Sequence, residues 1–223
     1  MPRKRNGCRR RRSPILPVCN CDVNAIDDVD IASCSFPSKC LTPRVFEIFA
    51  RHILSKYPRS DIKTLSQFRE SGGRFFPSVM VVPVHCPQKN LMALAEITGL
   101  RGTLQPQVAF YVPAIGSYVS PRRAKKILLR DVRRVCEELQ RQGHLTSRSA
   151  GDTVSKLKRA DFRHLRLPIS KNVEASFFAL KRIQHLASGV DVVGRAAFSK
   201  YEARRLRRFL VCSLFESLIT LVS

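Results

Sequence analysis

Residues 120–143, SPRRAKKILLRDVRRVCEELQRQG, contain the clearest secondary-structure signal in the chain. Ser120 is suited to cap a helix, Pro121 suits its first turn, and Gly143 suits its end. At about 100° per residue the apolar side chains fall on one stripe and most of the cations on the opposite side. The stripe consists of Ala124, Ile127, Leu128, Val132, Val135 and Leu139. The stretch therefore predicts a helix over about 120–142 that packs on a core and presents cations to solvent.

The sequence on either side of this helix predicts more helices and two strands. Thr42 and Pro43 begin a helix that runs to about residue 56. Pro77 and Pro83 place the first strand at a sheet edge or divide it. The other predicted helices cover 61–68, 90–97, 152–165, 172–187 and the residues from 199 onward, and the predicted strands cover 75–85 and 107–112. The predicted fold is therefore α+β and mainly helical, with a small mixed region before a helical C-terminal half.

Composition divides the chain into three parts. Residues 1–18 are rich in arginine, and like charges at this density predict a flexible basic arm. Residues 19–40 hold cysteines and aspartates and are too short to build a core of their own. Residues 41–223 are predicted to form one mostly helical globular domain.

The cysteine-rich segment has a spacing that allows a metal site. Cys19, Cys21, Cys34 and Cys40 follow the pattern C-x-C-x12-C-x5-C. Four thiolates can close a tetrahedral zinc site, and zinc would supply folding energy that this segment lacks. An aspartate, Cys8 or the pair His85–Cys86 could also provide a ligand. The alternative is a loosely ordered segment of unliganded cysteines.

The charge balance indicates an anionic partner. Forty Lys and Arg face seventeen Asp and Glu, which gives a net charge of +23. Such an excess favours nucleic acid, with RNA ahead of DNA, because cations that contact phosphates release counterions. The candidate contacts are Arg3, Lys4, Arg5, Arg9, Arg10, Arg11, Arg12, Arg122, Arg123, Lys126, Arg130, Arg133, Arg134, Lys200, Arg204, Arg205, Arg207 and Arg208. No small-molecule substrate is indicated.

Catalytic motifs are absent from the sequence. The five histidines are scattered, and there is no nucleophile elbow or phosphate-binding glycine loop. Cys86 lies beside His85, but adjacent strand residues point to opposite faces, so the two do not make a dyad by themselves. The sequence thus predicts a protein that is not an enzyme.

Two stretches resemble small basic, cysteine-rich nucleic-acid-binding proteins of plant viruses. Residues 9–21, RRRRSPILPVCNC, are similar to the vitivirus members and to geminivirus transactivators. Residues 194–212, GRAAFSKYEARRLRRFLVC, resemble the carlavirus pattern. The resemblance implies a suppressor of RNA silencing in which Ser199, Tyr201, Arg204, Arg205, Arg207 and Arg208 contact nucleic acid.

The leading prediction is a non-catalytic nucleic-acid-binding regulatory protein, with a genome-packaging viral capsid or nucleoprotein as the alternative. A capsid would require self-assembly, so a homo-oligomer is one expected state. Residues 1–12 are typical of a nuclear import signal, and no secretory signal is evident, so nucleus and cytoplasm are the expected compartments. A third hypothesis is a membrane-associated protein that uses the apolar residues 209–222 as an anchor, although Glu216 interrupts them.

Overall fold

The computed structural model describes residues 26–35, 40–86, 91–101, 105–113, 120–167, 175–190 and 200–222. Within these ranges the helices are α1 (Asp28–Ser35), α2 (Pro43–Ser55), α3 (Leu65–Glu70), α4 (Pro121–Arg141), α5 (Ser147–Arg159), α6 (Ala175–Ser188) and α7 (Lys200–Val222). The strands are β1 (Ile62–Thr64), β2 (Val79–Cys86), β3 (Leu91–Thr98), β4 (Gln107–Pro113) and β5 (Asp161–Leu167). A mixed helix-and-strand fold was the coarse prediction, and it is confirmed.

The five strands form one mixed sheet in the order β1-β2-β3-β4-β5. The central strands β2, β3 and β4 pair antiparallel, whereas β1 and β5 each pair parallel with their neighbours. A parallel neighbour requires a crossover connection. The helix α3 lies in the short crossover from β1 to β2, and α4 and α5 lie in the long crossover from β4 to β5.

One face of the sheet is covered by α1, α2, α6 and α7. Val81, Leu94 and Tyr111 project from the strands into this layer, where they meet Phe49 of α2 and Phe178 of α6. These residues are at most 4% exposed. We call this layer the first core.

The opposite face is covered by α3, α4 and α5. Val82, Ala95 and Phe110 project from the strands and pack with Phe68 of α3 and Leu128 of α4. Alternate residues along β2 and β3 therefore enter opposite layers, as the pleat of a strand requires. We call this layer the second core; the two cores make the molecule a three-layer sandwich.

Two of the predicted helices are confirmed together with their caps. The hydroxyl of Thr42 accepts a hydrogen bond from the amide of Val45 at 3.3 Å, and Pro43 occupies the first turn of α2. Ser120 caps α4 in the same way, accepting from the amide of Arg123 at 3.3 Å. Apolar periodicity and cap chemistry agree at these two places, so local sequence suffices to predict the element.

The prediction of a helix over 90–97 is wrong, because the chain there forms strand β3. Met92 and Leu94 enter the first core, while Ala93, Ala95 and Ile97 enter the second. The sequence of a central strand that is buried on both faces is a continuous apolar run. Periodicity alone does not distinguish such a run from a buried helix. Helix-favouring residues in this run misled the assignment, and pairing with both β2 and β4 overrides them.

The predicted helix over 152–165 is wrong in its second half. The helix α5 ends at Arg159, and β5 begins at Asp161, so the C-terminal half of the chain is not all helical. The predicted helix over 61–68 similarly begins as strand β1. Both strands pair parallel with distant segments of the chain, and such pairing leaves little local signal.

Pro77 and Pro83 led to the prediction that the strand over 75–85 lies at a sheet edge or is divided. The short length of β1 explains how Pro83 is accommodated within β2. β2 is continuous and contains Pro83, which cannot donate a hydrogen bond to a neighbouring strand. However, β1 pairs only with Val79, Met80 and Val81 of β2. Pro83 therefore lies beyond the end of β1, where β2 has an open side.

The cysteine-rich segment is described only in part. Cys34 of α1 is 1% exposed and packs in the first core beside Ile26. The buried Asp30 receives a hydrogen bond from the Thr42 hydroxyl and lies 3.3 Å from Arg44. The predicted basic arm, residues 1–18, and the cysteines at 19 and 21 lie outside the described residues. No described helix has the length and hydropathy needed to span a membrane.

Candidate functional site

A strongly basic cavity lies along one side of α4. Its volume is about 840 Å³, within the range typical of small-molecule sites. Eight lysine and arginine side chains line it, together with one histidine and two apolar residues: Arg122, Arg123, Lys125, Lys126, Arg130, Arg133, Arg134, Lys158, His85, Ile127 and Leu129. Among the described lining residues there is no carboxylate. We call this feature the basic cavity.

Elements distant in sequence meet at this cavity. Lys158 comes from the last turn of α5, and its carbonyl oxygen accepts a hydrogen bond from the Lys125 ammonium at 3.0 Å. The same ammonium lies 4.0 Å above the ring of Phe162, which is on β5. These contacts hold the α5–β5 junction against α4 and fix one wall of the cavity.

Few of the cavity's cations are neutralised by carboxylates. Arg130 contacts the neighbouring Asp131 at 2.9 Å, in an exposed pair of the kind that contributes little to stability. Lys126, Arg133 and Arg134 are exposed, and no ion pair with a described residue involves them. Most of the positive charge therefore remains available to a ligand.

His85 lies at the end of β2 and is half-buried at this cavity. Burial lowers the pKa of its imidazole. The ring is therefore neutral at neutral pH, and it can both donate and accept a hydrogen bond.

A second cavity, of about 470 Å³, has an exposed aromatic side chain in its lining. Phe75 is 73% exposed, and it lies in the segment that links α3 to β2. The other residues around this cavity are Arg74, Phe76, Leu100, Arg101, Ser149, Asp152, Thr153 and Lys156. We call this feature the Phe75 surface.

The segment that carries Phe75 is held in place by its neighbours. Phe76 stacks on Phe68 with the ring centroids 4.8 Å apart. Arg101 donates to the carbonyl oxygen of Phe76 and lies 2.6 Å from Asp61. Phe75 thus projects from an ordered loop, which reduces the entropy lost when a partner binds.

A glycine allows this loop to approach α4 closely. Gly73 has a φ of +62°, and a Cβ atom there would lie 2.7 Å from Leu139 Cδ1. The left-handed backbone and the close side chain both favour glycine at this position.

Three of the described cysteines are buried thiols. Burial raises the pKa of Cys34 and Cys136 to about 11 and also raises that of Cys40. Such thiols remain protonated at neutral pH, so they are poor nucleophiles. Cys212 on α7 is exposed.

The predicted zinc ligands are not all within the described residues. Cys34 and Cys40 are, whereas Cys19 and Cys21 are not. The part of the chain that the structure describes contains no cluster of three or more metal-ligating side chains. The zinc site stays a prediction.

The structure separates the predicted nucleic-acid contacts into different environments. The six on α4, namely Arg122, Arg123, Lys126, Arg130, Arg133 and Arg134, line the basic cavity. On α7, Arg204, Arg205 and Arg208 are exposed, and the side chain of Lys200 is not described. Arg207 donates to the carbonyl oxygen of Cys34 at 2.9 Å, and its guanidinium lies 5.5 Å from the ring centroid of Phe177. Arg207 therefore has a structural role. The candidates from Arg3 to Arg12 lie outside the described residues.

Sequence reasoning missed Lys125 and Phe75, and it did not place Lys158 beside α4. Lys125 and Lys158 belong to the basic cavity, but only the α4–α5 packing brings them together. Phe75 follows the Gly72–Gly73 turn and precedes Pro77, which is a local signal for an exposed loop. That signal indicates exposure alone, and the cavity beside Phe75 follows from the tertiary structure.

The fold is similar to that of a known protease. The SUMO protease Ulp1, with its catalytic cysteine oxidised to a sulfenic acid, superposes with a TM-score of 0.53 at 15% identity, covering 86% of this chain and 85% of that one. The C-terminal Ulp1 protease domain in complex with SMT3, the yeast orthologue of SUMO, gives a TM-score of 0.51 at 12% identity, covering 92% and 99%. No protein-family model matches the chain, and no curated protein does. At this identity the similarity shows that the chain has the Ulp1 protease fold.

This fold corrects the functional predictions from the sequence. The predictions of a non-catalytic nucleic-acid-binding regulator, of a silencing suppressor and of a genome-packaging capsid are contradicted by this similarity, because the structures that share the fold are those of the Ulp1 protease. The same similarity contradicts the prediction that the chain is not an enzyme, since Ulp1 is a protease with a catalytic cysteine. The prediction of nucleic acid as the partner is contradicted by the same neighbours, since the Ulp1 domain that shares this fold is in complex with a protein, SMT3. Net charge misled these predictions, since it reports on surface potential and carries no information about fold.

Proposed function

We propose that this chain is a cysteine-dependent enzyme that processes precursors or conjugates of a SUMO-like protein. The observation that carries the proposal is the similarity to Ulp1 across 86% of the chain, in structures that hold a catalytic cysteine and, in one case, a bound SUMO orthologue. Because one fold can serve several functions, the chemistry of the proposal must come from residues of this chain.

The Phe75 surface is the proposed docking site for the protein partner. Interfaces between proteins are enriched in aromatic and arginine side chains, and a few such residues supply most of the binding energy. Phe75 is exposed, and Arg74, Arg101 and Lys156 line the same cavity. The contacts of Phe76 and Arg101 order the loop before the partner arrives.

The nucleophile is proposed to be a thiol outside the core. Cys34, Cys40 and Cys136 are buried, and burial raises the pKa of each. A helix N-terminus can lower a thiol pKa, but no described helix has a cysteine in its first turn. The remaining candidates are Cys8, Cys19, Cys21, Cys86 and Cys212.

A SUMO protein with a C-terminal vinyl sulfone tests both parts of the proposal. An active thiol adds to the vinyl group and leaves a covalent product that mass spectrometry detects and maps. We expect a single adduct on one of the five candidate cysteines, lost when that residue is changed to serine. Cys136→Ser is the matched control and should label like the unchanged protein. Absence of any adduct, while SUMO still binds, would contradict the enzymatic part of the proposal.

Changing Phe75→Ala should weaken SUMO binding by about tenfold or more, as truncating an interface anchor does. Tyr201→Ala is the matched control, because Tyr201 is 76% exposed and lies on α7. Binding would be measured by calorimetry with the unmodified SUMO protein. Equal affinities for the two variants would remove the Phe75 surface as the docking site without bearing on the thiol test.

A further inference from the structure

The proposed function uses the Phe75 surface and a cysteine thiol, and it gives no role to the basic cavity. Eight cationic side chains converge on a volume of about 840 Å³, and no described lining residue is acidic. Like charges held together in this way repel one another, so this arrangement is electrostatically unfavourable without a counterion. A bound anion of high charge would relieve that repulsion.

We propose that the basic cavity binds a small molecule that carries several phosphate groups. Five of the eight cations are arginines, namely Arg122, Arg123, Arg130, Arg133 and Arg134. The planar guanidinium presents paired donors that match phosphate oxygens, and charge-assisted bonds of this kind are among the strongest hydrogen bonds in proteins. A ligand with several phosphates can bind several of these guanidinium groups at once.

The shape of the site favours a compact ligand. The cations lie around a concave volume that combines one side of α4 with Lys158 from α5 and His85 from the end of β2. Ile127 and Leu129 add apolar surface to the lining. Pockets for organic ligands combine apolar walls with a few convergent polar groups, and this cavity has both.

Part of the site is already ordered in the structure. The Lys125 ammonium is held between the carbonyl oxygen of Lys158 and the ring of Phe162. The neutral imidazole of His85 can donate one hydrogen bond to a phosphate oxygen without adding charge. Lys126, Arg133 and Arg134 are exposed and can close on the ligand.

Titration calorimetry with inorganic tripolyphosphate and orthophosphate tests the proposal. At about 0.15 M salt, where the Debye length is about 8 Å, simple surface attraction is screened. We expect one tripolyphosphate to bind per chain, at least about tenfold more tightly than orthophosphate, because it can form more charge-assisted bonds with the cavity's cations. Equal binding of the two anions would overturn the proposal.

A pair of charge-matched variants locates the site. The cavity variant combines Lys126→Gln, Arg133→Gln and Arg134→Gln, and the control combines Arg204→Gln, Arg205→Gln and Arg208→Gln on α7. Both remove three exposed cations, and glutamine has a helix propensity close to that of lysine and arginine. We expect the cavity variant to lose at least about tenfold in tripolyphosphate affinity, equivalent to about 1.4 kcal/mol, while the control changes by less than about twofold.

Two results would overturn the assignment. Equal losses in both variants would mean that net charge, not the cavity, attracts the anion. Tighter binding of a duplex oligonucleotide or an acidic peptide than of tripolyphosphate, through the same three side chains, would mean that the surface serves a macromolecule. Circular dichroism of both variants would establish that the helices remain folded in either case.

Discussion

The two cores differ in the kind of polar group that each layer contains. The first core buries a charged pair and an imidazole, with Arg182 and His52 each 4% exposed. In the second core the cations of α4 remain outside, while Ala124, Leu128 and Val132 face inward. Arginines of this one chain therefore lie in two kinds of environment. Arg182 is paired with a carboxylate inside the fold, whereas Arg133 and Arg134 are exposed and form no ion pair with a described residue.

The largest predicted effect concerns the buried pair of the first core. Arg182 lies 3.1 Å from Glu96, and its guanidinium lies 5.1 Å from the ring centroid of Tyr111. Changing Arg182→Ala leaves the Glu96 carboxylate buried without this cation, which should cost about 3–5 kcal/mol of unfolding free energy. Urea denaturation followed by circular dichroism would measure the loss.

A double variant tests whether that loss arises from the unpaired carboxylate. Combining Arg182→Met with Glu96→Leu removes both charges and keeps apolar volume. Replacing a whole buried pair in this way is often neutral or stabilising. The double variant should therefore recover most of the stability, and a double variant as unstable as Arg182→Ala would show that packing explains the effect.

A smaller effect should appear in the pH dependence of stability. Burial, with Lys56 nearby, lowers the pKa of His52, and no hydrogen bond from a described residue reaches its buried Nε2. Above a pH of about 6.5 the imidazole is neutral in both folded and unfolded chains. As the pH falls through this value the unfolded chain takes up the proton first, so stability decreases towards the lower folded pKa.

Changing His52→Phe should flatten this decrease, because the ring remains while the proton site is lost. Urea midpoints measured between neutral and mildly acidic pH would reveal the difference. His85, His164 and His185 also have lowered pKa values, so the slope should diminish without vanishing. An unchanged slope would mean that His52 does not titrate during acid unfolding.

What could be predicted from the sequence depends on whether the signal for an element lies within one continuous segment. Helices α2 and α4 have an apolar stripe and a cap within one continuous segment, so their existence followed from local patterning. The strand β3 is buried on both faces, and β5 is ordered by parallel pairing with β4. Their identity depends on partners far along the chain, and local patterning assigned both to helices.

The candidate sites were predictable only in part. The cationic face of α4 followed from helical periodicity, but the cavity also needs Lys158 and His85, which topology brings together. The fold relationship itself was invisible, since this chain and the Ulp1 structure share 15% identity. Arg182 and Arg133 are the same residue type, and only burial beside Glu96 distinguishes their roles.

The smallest predicted effect is on stability at the outer face of the second core. The variant that combines Lys126→Gln, Arg133→Gln and Arg134→Gln should change the unfolding free energy by no more than about 0.5 kcal/mol, because surface substitutions that break no contact are usually this mild. At low ionic strength it should be slightly more stable than the unchanged chain, since removing like charges lowers their repulsion.

Added salt should reduce that small gain, because interactions between exposed charges more than about 10 Å apart are largely screened at 0.1 M. Thermal unfolding of both proteins across a salt series would test this. A clear loss of stability at low salt would mean that these cations have partners in the fold, as Arg182 does, and the distinction between the two cores would fail. Stability that is unchanged or increased would show that these cations do not stabilise the fold, which leaves their positive charge available to a ligand.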